Sequence, residues 1–378
     1  MKKDLDRFKV FAMTAPGIET ILERELFAMG INRGETTSGG VSFNGKIEHV
    51  MRANLWSRVA NRVIVRVDEF HASTFHELER RAKKIEWSRF ISSAQTVRFR
   101  VTCRKSKLYH SDAVAERLGK AIAAAVGAKV ESDADEESES ESQLFIVRIV
   151  DDECTISIDS SGALLHRRGY RQAVAKAPLR ETLAAAMLYG SGWDMTSPLV
   201  DPMCGSGTIA IEGAMMARKM APGINRSFAF EQWPDHDSTA WHAITEKARA
   251  DALPKAPGPI IASDRDTGAA SAASDNAERA GVTADIDLSI RAISAAEFPD
   301  APGWVISNPP YGLRVGESDQ LRNLYAQIGK VVRERAKGYK LALLSADQAL
   351  EAQLRLDLEE VFRTSNGGIP VRLVVASG

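Results

Sequence analysis

From residue 178 onward the chain adopts a regular rhythm in which helical segments alternate with short apolar strands. The segments are PLRETLAAAMLYG, PLVDPM, TIAIEGAMMARKM, PIIASD, a helix near 267–281, IDLSIRAI, GWVISNPP, a helix near 319–337 and KLALLSA. Adjacent parallel strands need a crossover, and a crossover helix covers the sheet, so this alternation predicts a doubly wound, mostly parallel α/β sheet with helices on both faces. Ligands collect at the carboxyl ends of strands in such sheets. The residues there are the ones to read for chemistry.

The first part of the chain lacks that rhythm. APGIETILERELFAMG (15–30) is patterned as an amphipathic helix, and GGVSFNG (39–45) as a short strand between glycines. Further helices are expected around 47–59, 75–85 and 112–127, and strands at 62–70 and 96–103. LFIVRIVDDECTISI (144–158) reads as two strands joined by an acidic turn. Mixed elements without alternation suggest small α+β modules up to about residue 158. The expected divisions are 1–50, 51–160 and 161–378, because 378 residues exceed what one hydrophobic core usually serves.

Composition adds exclusions. No apolar run approaches the ~18–20 residues needed to span a bilayer. The amino terminus, MKKDLDRFKVFAM, has no long apolar stretch followed by a small-residue cleavage site, so a cytoplasmic protein is expected. Cys103, Cys154 and Cys204 are isolated, which argues against a disulfide framework or a zinc cluster, and no metal site is expected. The formal net charge of -1 conceals an asymmetry: residues 1–120 hold 23 Lys+Arg against 14 Asp+Glu, while 131–142 carries seven acidic residues and no basic one. The acidic tract reads as a solvated loop with nothing apolar to bury, and a mimic competing with a polyanion is the alternative. A basic amino-terminal third suits a phosphate-binding surface, although surface Lys and Arg also serve solubility.

Four strand ends are informative. PLVDPMCGSGTIAIEG (198–213) runs from a strand into Asp201, Pro202 and Cys204, then Gly205, Ser206, Gly207 and Thr208 before a helix. Glycines there let a backbone approach a ligand. The loop lacks the lysine of a P-loop, and Ala210 stands where a dinucleotide fingerprint needs its third glycine. PIIASDRD (259–266) places Asp264 to accept ribose hydroxyls, with Asp266 as the alternative or as a helix cap. IDLSIRAI ends at Ser294 and Ala295, a weak signal for a base edge.

The fourth end, GWVISNPPYG (303–312), is the sharpest. Two prolines have fixed φ and cannot donate to a sheet, so Asn308-Pro309-Pro310-Tyr311 leaves the strand as a rigid loop. An exocyclic base amine is a poor nucleophile because its lone pair is delocalised into the ring. The Asn308 side-chain oxygen and the Pro309 carbonyl are placed to accept its N–H groups and localise that pair toward a methyl donor. Tyr311 is placed to stack on the base. A plain proline-rich turn is the structural alternative.

DPMCGSGT, SDRD and NPPYG together resemble the cofactor loop, ribose acid and catalytic motif of class I S-adenosylmethionine-dependent methyltransferases that act on amines. The resemblance covers the whole second half and implies a Rossmann-like domain with S-adenosylmethionine as cofactor. LLHRRGYRQAVAKAPLRETLAAAML (164–188) is similar to the segment preceding the cofactor loop in RNA methylases with a THUMP domain, which makes Ala177, Pro178, Leu179, Arg180 and Thr182 candidates for the cofactor pocket. Residues 82–122 resemble the THUMP RNA-binding domain itself. That suggests Arg100, Arg104, Lys105, Lys107, Tyr109 and His110 as RNA contacts, with Arg167, Arg168 and Arg171 added from the basic run 164–180.

The order ferredoxin-like region (1–50), THUMP domain (51–160) and methylase (161–378) is that of guanine-2-amino methyltransferases of large-subunit ribosomal RNA. The implied partner is RNA, ribosomal or within an assembly intermediate. The acidic tract and Ser294, which stands where many methylases have Asp, depart from the pattern. Adenine 6-amino methylation of RNA or DNA, and a non-catalytic RNA-binding role, stay open at this point. Cys204 is read as a small loop residue rather than the nucleophile of a ring-carbon methylase.

Overall fold

The computed structural model describes residues 7–32, 34–131, 142–171, 179–311 and 318–377. Among them, residues 8–159 build one eight-stranded sheet and 199–377 a seven-stranded one. The strands of the first are β1 (Phe8–Met13), β2 (Glu35–Thr37), β3 (Gly40–Gly45), β4 (Arg62–His71), β5 (Thr96–Arg104), β6 (Lys129–Val130), β7 (Gln143–Val150) and β8 (Glu153–Asp159). Their spatial order is β2-β3-β1-β4-β8-β7-β5-β6. Helices α1 (Glu19–Ala28), α2 (Ile47–Trp56), α3 (Phe75–Ala82) and α4 (Ser111–Val126) accompany this sheet.

The apolar period of α4 buries Val114, Leu118 and Ile122, and the helix stops at Gly127 in a left-handed conformation. Under the sheet, Trp87 meets Phe145 edge-on at 5.5 Å, a pairing worth ~0.5–1.5 kcal/mol beyond its buried area. The expected acidic turn is a two-residue hairpin: Asp151 and Asp152 both take positive φ, which Asp tolerates. The acidic tract at 132–141 lies outside the described residues.

The second sheet contains β9 (Leu199–Asp201), β10 (Ile260–Asp264), β11 (Ile286–Ile290), β12 (Trp304–Ser307), β13 (Lys340–Ser345), β14 (Glu359–Asn366) and β15 (Ile369–Ser377). Its order is β11-β10-β9-β12-β13-β15-β14, with β9 to β13 parallel and β15 antiparallel to both neighbours. Helices α5 (Glu181–Ser191), α6 (Thr208–Ala217), α7 (Ser238–Ala250), α8 (Thr267–Ala280) and α9 (Ser318–Arg335) complete the domain. From β9 the chain moves outward to β10 and β11, then returns to β12 on the other side. The reversal makes a switch point between β9 and β12, where a crevice opens at the strand ends.

Three features depart from the sequence reading. The third apolar strand stops at Ile290 instead of reaching 293, because Ile293–Ala295 turns into a 3-10 helix that buries Ile293. The reading assigned nothing to α7. It also assigned nothing to the terminal hairpin β14–β15, although Asn366-Gly367-Gly368 between β-rich segments is a hairpin signal. Gly367 and Gly368 both have positive φ, as a two-residue primed turn demands.

Candidate active site

The loop after β9 is shaped by its own hydrogen bonds. Cys204 N–H donates to Ser263 O at 2.9 Å, and Gly205 N–H donates to the Asp264 carboxylate at 2.9 Å, so the ends of β9 and β10 are tied together. Gly207 precedes α6 with φ +81°, and a Cβ there would stand 3.0 Å from that of Ala273, so both conformation and close approach to α8 require glycine. Asn276 on α8 donates to Ser206 O at 3.0 Å and fixes the other side of the loop.

Asp201 is buried at the end of β9 and accepts from Ser307 Oγ at 2.6 Å. Burial pushes its carboxyl up to about 7, against the opposing effect of the Ser307 and Met203 hydrogen bonds. Ser307 immediately precedes Asn308, so this bond ties the cofactor-loop strand to the strand carrying NPPY. The Asn308 side-chain oxygen is buried with no hydrogen-bond partner among the described residues. A buried amide oxygen without a partner costs ~1–3 kcal/mol, so a donor arriving there is rewarded. Pro309 is buried, Pro310 exposed, and Tyr311 half-buried with its hydroxyl accepting from Asn366 Nδ2 at 2.7 Å.

Asp264 uses one carboxylate oxygen for Gly205 N–H and the other for Asp266 N–H at 3.0 Å. A carboxylate has about four acceptor sites, so ribose hydroxyls still find room. Asp266 caps α8 by accepting from Ala269 N–H at 2.9 Å, the alternative foreseen for it. Pro202 and Thr208 are buried, while Gly205 and Ser206 are partly open. Burial raises the Cys204 thiol far above its ordinary range, which disfavours the thiolate that ring-carbon chemistry uses. Leu179 and Thr182 are buried and Arg180 exposed at the start of α5; Ala177 and Pro178 lie outside the described residues. Ser294 and Ala295 sit exposed on the 3-10 turn, and no bond among the described residues links their side chains to Asp201, Asp264 or Asn308.

The basic run behaves differently from a phosphate-facing linker. Arg168 is buried: it donates to Arg58 O at 2.6 Å and to Leu165 O, and its Nε lies 3.5 Å from the fully buried Glu212. Arg171 pairs with buried Glu181 at 3.2 Å and donates to Leu179 O. Both guanidiniums therefore compensate carboxylates inside the protein, and the RNA-contact assignment of Arg168 and Arg171 is corrected. Arg167 is half-buried. By contrast Arg100, Arg104, Lys105, Lys107, Tyr109 and His110 are exposed, with the Tyr109 and His110 ring centroids 4.0 Å apart. Lys107 N–H donates to Asp152 at 2.7 Å, which pins this loop to the β7–β8 turn.

The sequence reading missed Ser307, Asn276 and Asn366. Ser307 was detectable as a polar residue closing an apolar strand next to Asn308. Asn276, on a helix far along the chain, carried no local signal.

A family model described as an RMKL-like methyltransferase domain matches residues 168–374. The chain belongs to this methyltransferase family. An RlmL ferredoxin-like domain matches 9–64 and a THUMP domain 72–159. The chain is 35% identical to a "Putative RNA methyltransferase slr0064" of Synechocystis sp., over 96% of this chain and 95% of that one. It is also 35% identical to a "Ribosomal RNA large subunit methyltransferase K/L" of Marinomonas sp., over 96% of this chain but 52% of that protein. The chain thus spans about half the length of the K/L relatives.

Among solved structures, SMU.472, a putative methyltransferase complexed with SAH, superposes with a TM-score of 0.88 at 30% identity, covering 100% and 99% of the two chains. A possible methylase from Clostridium difficile 630 gives 0.86 at 32% identity, covering 98% of each. The methyltransferase depends on S-adenosylmethionine, and the glycine cradle, the Asp264 carboxylate and the Asn308 oxygen, unpartnered among the described residues, fit that cofactor and an amine acceptor.

Proposed function

We propose that the chain methylates the 2-amino group of guanine in large-subunit (23S) ribosomal RNA, in the cytoplasm. The observation that carries this reading is the buried Asn308 side-chain oxygen, with no hydrogen-bond partner among the described residues, held at the end of β12 beside the Ser307–Asp201 bond. S-adenosylmethionine supplies a methyl group already activated on a sulfonium. The loop Gly205–Thr208 and Asp264 would hold it, with Leu179, Arg180 and Thr182 as further wall.

The protein's task is then to expose and aim the amine lone pair. Asn308 Oδ1 and the Pro309 carbonyl accept the two N–H groups, and the proline pair keeps both acceptors in place without reorganisation. Tyr311 supplies a face for the base, its ring held through Asn366. No enzyme nucleophile is needed because the leaving group is activated, and the protonated Cys204 does not offer one.

RNA as substrate is supported by the THUMP match and by the exposed Arg104, Lys105, Lys107, Tyr109 and His110, which combine charge with a pair of adjacent rings tilted 41° to each other. The names of the K/L relatives favour ribosomal RNA; a neighbour from Listeria, TM-score 0.85 at 31% identity, is titled a predicted N6-adenine-specific DNA methylase. Transfer of labelled methyl to purified large-subunit RNA and, separately, to DNA tests the class of substrate. Label in RNA alone is expected; label in DNA alone would overturn the reading.

A further inference from the structure

A cavity of about 210 Å³ lies between the amino-terminal region, the start of α5 and the β14–β15 turn. It is larger than a few waters, at ~30 Å³ each, and smaller than the ~300–1,000 Å³ of pockets for drug-sized ligands. Ile18 and Leu183 give it apolar wall, while Asn61, Arg180, Thr182 and Asn366 bring polar groups. Asn366 is the same residue that donates to the Tyr311 hydroxyl at 2.7 Å, so one wall of the cavity touches the catalytic loop.

Resting on the amine-methylation reading above, we infer that this cavity receives the target base, and that Asn61 and Arg180 select guanine by its 6-oxygen. A single heterocycle is of the right size, and it needs apolar faces with polar groups at its edge. The edge is read by donors. Asn61 Oδ1 accepts from Thr182 Oγ1 at 3.1 Å, which leaves the Asn61 amide N–H groups without a protein partner among the described residues. The Arg180 guanidinium has none there either.

Guanine carries its 2-amino group and its 6-oxygen on one edge, so an amine delivered to Asn308 brings an acceptor with it. Adenine has only its 6-amino group to deliver to Asn308, and its edge then holds no carbonyl oxygen for these donors to meet. Asn61 comes from the amino-terminal region, immediately before β4, so the pocket is composite. Docking of that region on the methylase is then part of base selection.

The test compares large-subunit RNA transcripts made with guanosine or with 6-thioguanosine, which keeps the 2-amino group and weakens the acceptor at position 6. The unaltered chain should transfer methyl about tenfold faster to the guanosine transcript, the size of effect expected for losing one or two such bonds. Arg180→Ala, an exposed change, and Asn61→Asp, which retains the acceptor for Thr182 and removes the donor, should both shrink that ratio toward one. Cofactor affinity is measured beside it. An unchanged ratio in both variants, including the case where Arg180→Ala loses only cofactor affinity, overturns the inference. Transfer by the unaltered chain to neither transcript would instead strike the amine-methylation reading, and this pocket would fall with it.

Discussion

The two halves of the molecule use the same residue types in opposite ways. In the amino-terminal region the cations proposed to meet RNA stand in solvent around an exposed tyrosine: Arg104, Lys105 and Lys107 beside Tyr109, which is 69% exposed. In the methylase half, Arg168 is 5% exposed and Asp201 1%, and each acts through a bond to another buried group. A surface that must find a polyanion needs accessible charge, which solvent screens and salt weakens. A site that must aim one lone pair needs acceptors stripped of water, because an acceptor already satisfied by solvent gives an amine nothing. Burial thus separates recognition from chemistry more cleanly than residue identity does.

The sharpest way to break this contrast is to treat Arg168 as surface charge. If it compensates Glu212 inside the protein, Arg168→Ala should cost ~3–5 kcal/mol of unfolding free energy, as expected for leaving a buried carboxylate short of its cation. Arg104→Ala should stay within ~0.5 kcal/mol. Denaturant titrations of both variants measure the difference; equal stabilities would return Arg168 to the surface. Asn308→Ala comes next. It should lower kcat by ~10²–10³-fold, the usual effect of removing one aimed polar group, while cofactor binding by calorimetry persists.

A pH-dependent test concerns Asp201. Its folded carboxyl titrates near 7, above the unfolded range, so its contribution to stability is full below about pH 4 and is lost as pH rises toward 7. Asp201→Asn removes that titration. The variant's unfolding free energy relative to the unaltered chain should therefore improve between about pH 4 and pH 7. A flat difference would mean that Asp201 is ionised in the folded protein throughout.

Much of the second sheet was legible because the parallel strands β9, β10, β12 and β13 are short apolar runs ending in a polar residue, and those ends are where chemistry sits. Asp201, Asp264 and Asn308 all lie at such ends, and the loop at 205–207 showed its glycines plainly. Side-chain fate inside a charged run was not legible. Nothing local distinguishes Arg167 from Arg168, since only the fold brings Glu212 to one of them. Ser294 misled for a related reason: the strand pattern continued in sequence, but burial of Ile293 bent the chain into a turn. Asn366 was hidden because its partner, Tyr311, is supplied by the loop after β12, far away in sequence.

The most direct test of the central claim is the identity of the methylated atom. RNA labelled by the purified chain and S-adenosylmethionine is digested to nucleosides and analysed by mass spectrometry. The account predicts guanosine carrying the label on its 2-amino group. Label on the adenine 6-amino group, or on a ring carbon, would contradict it.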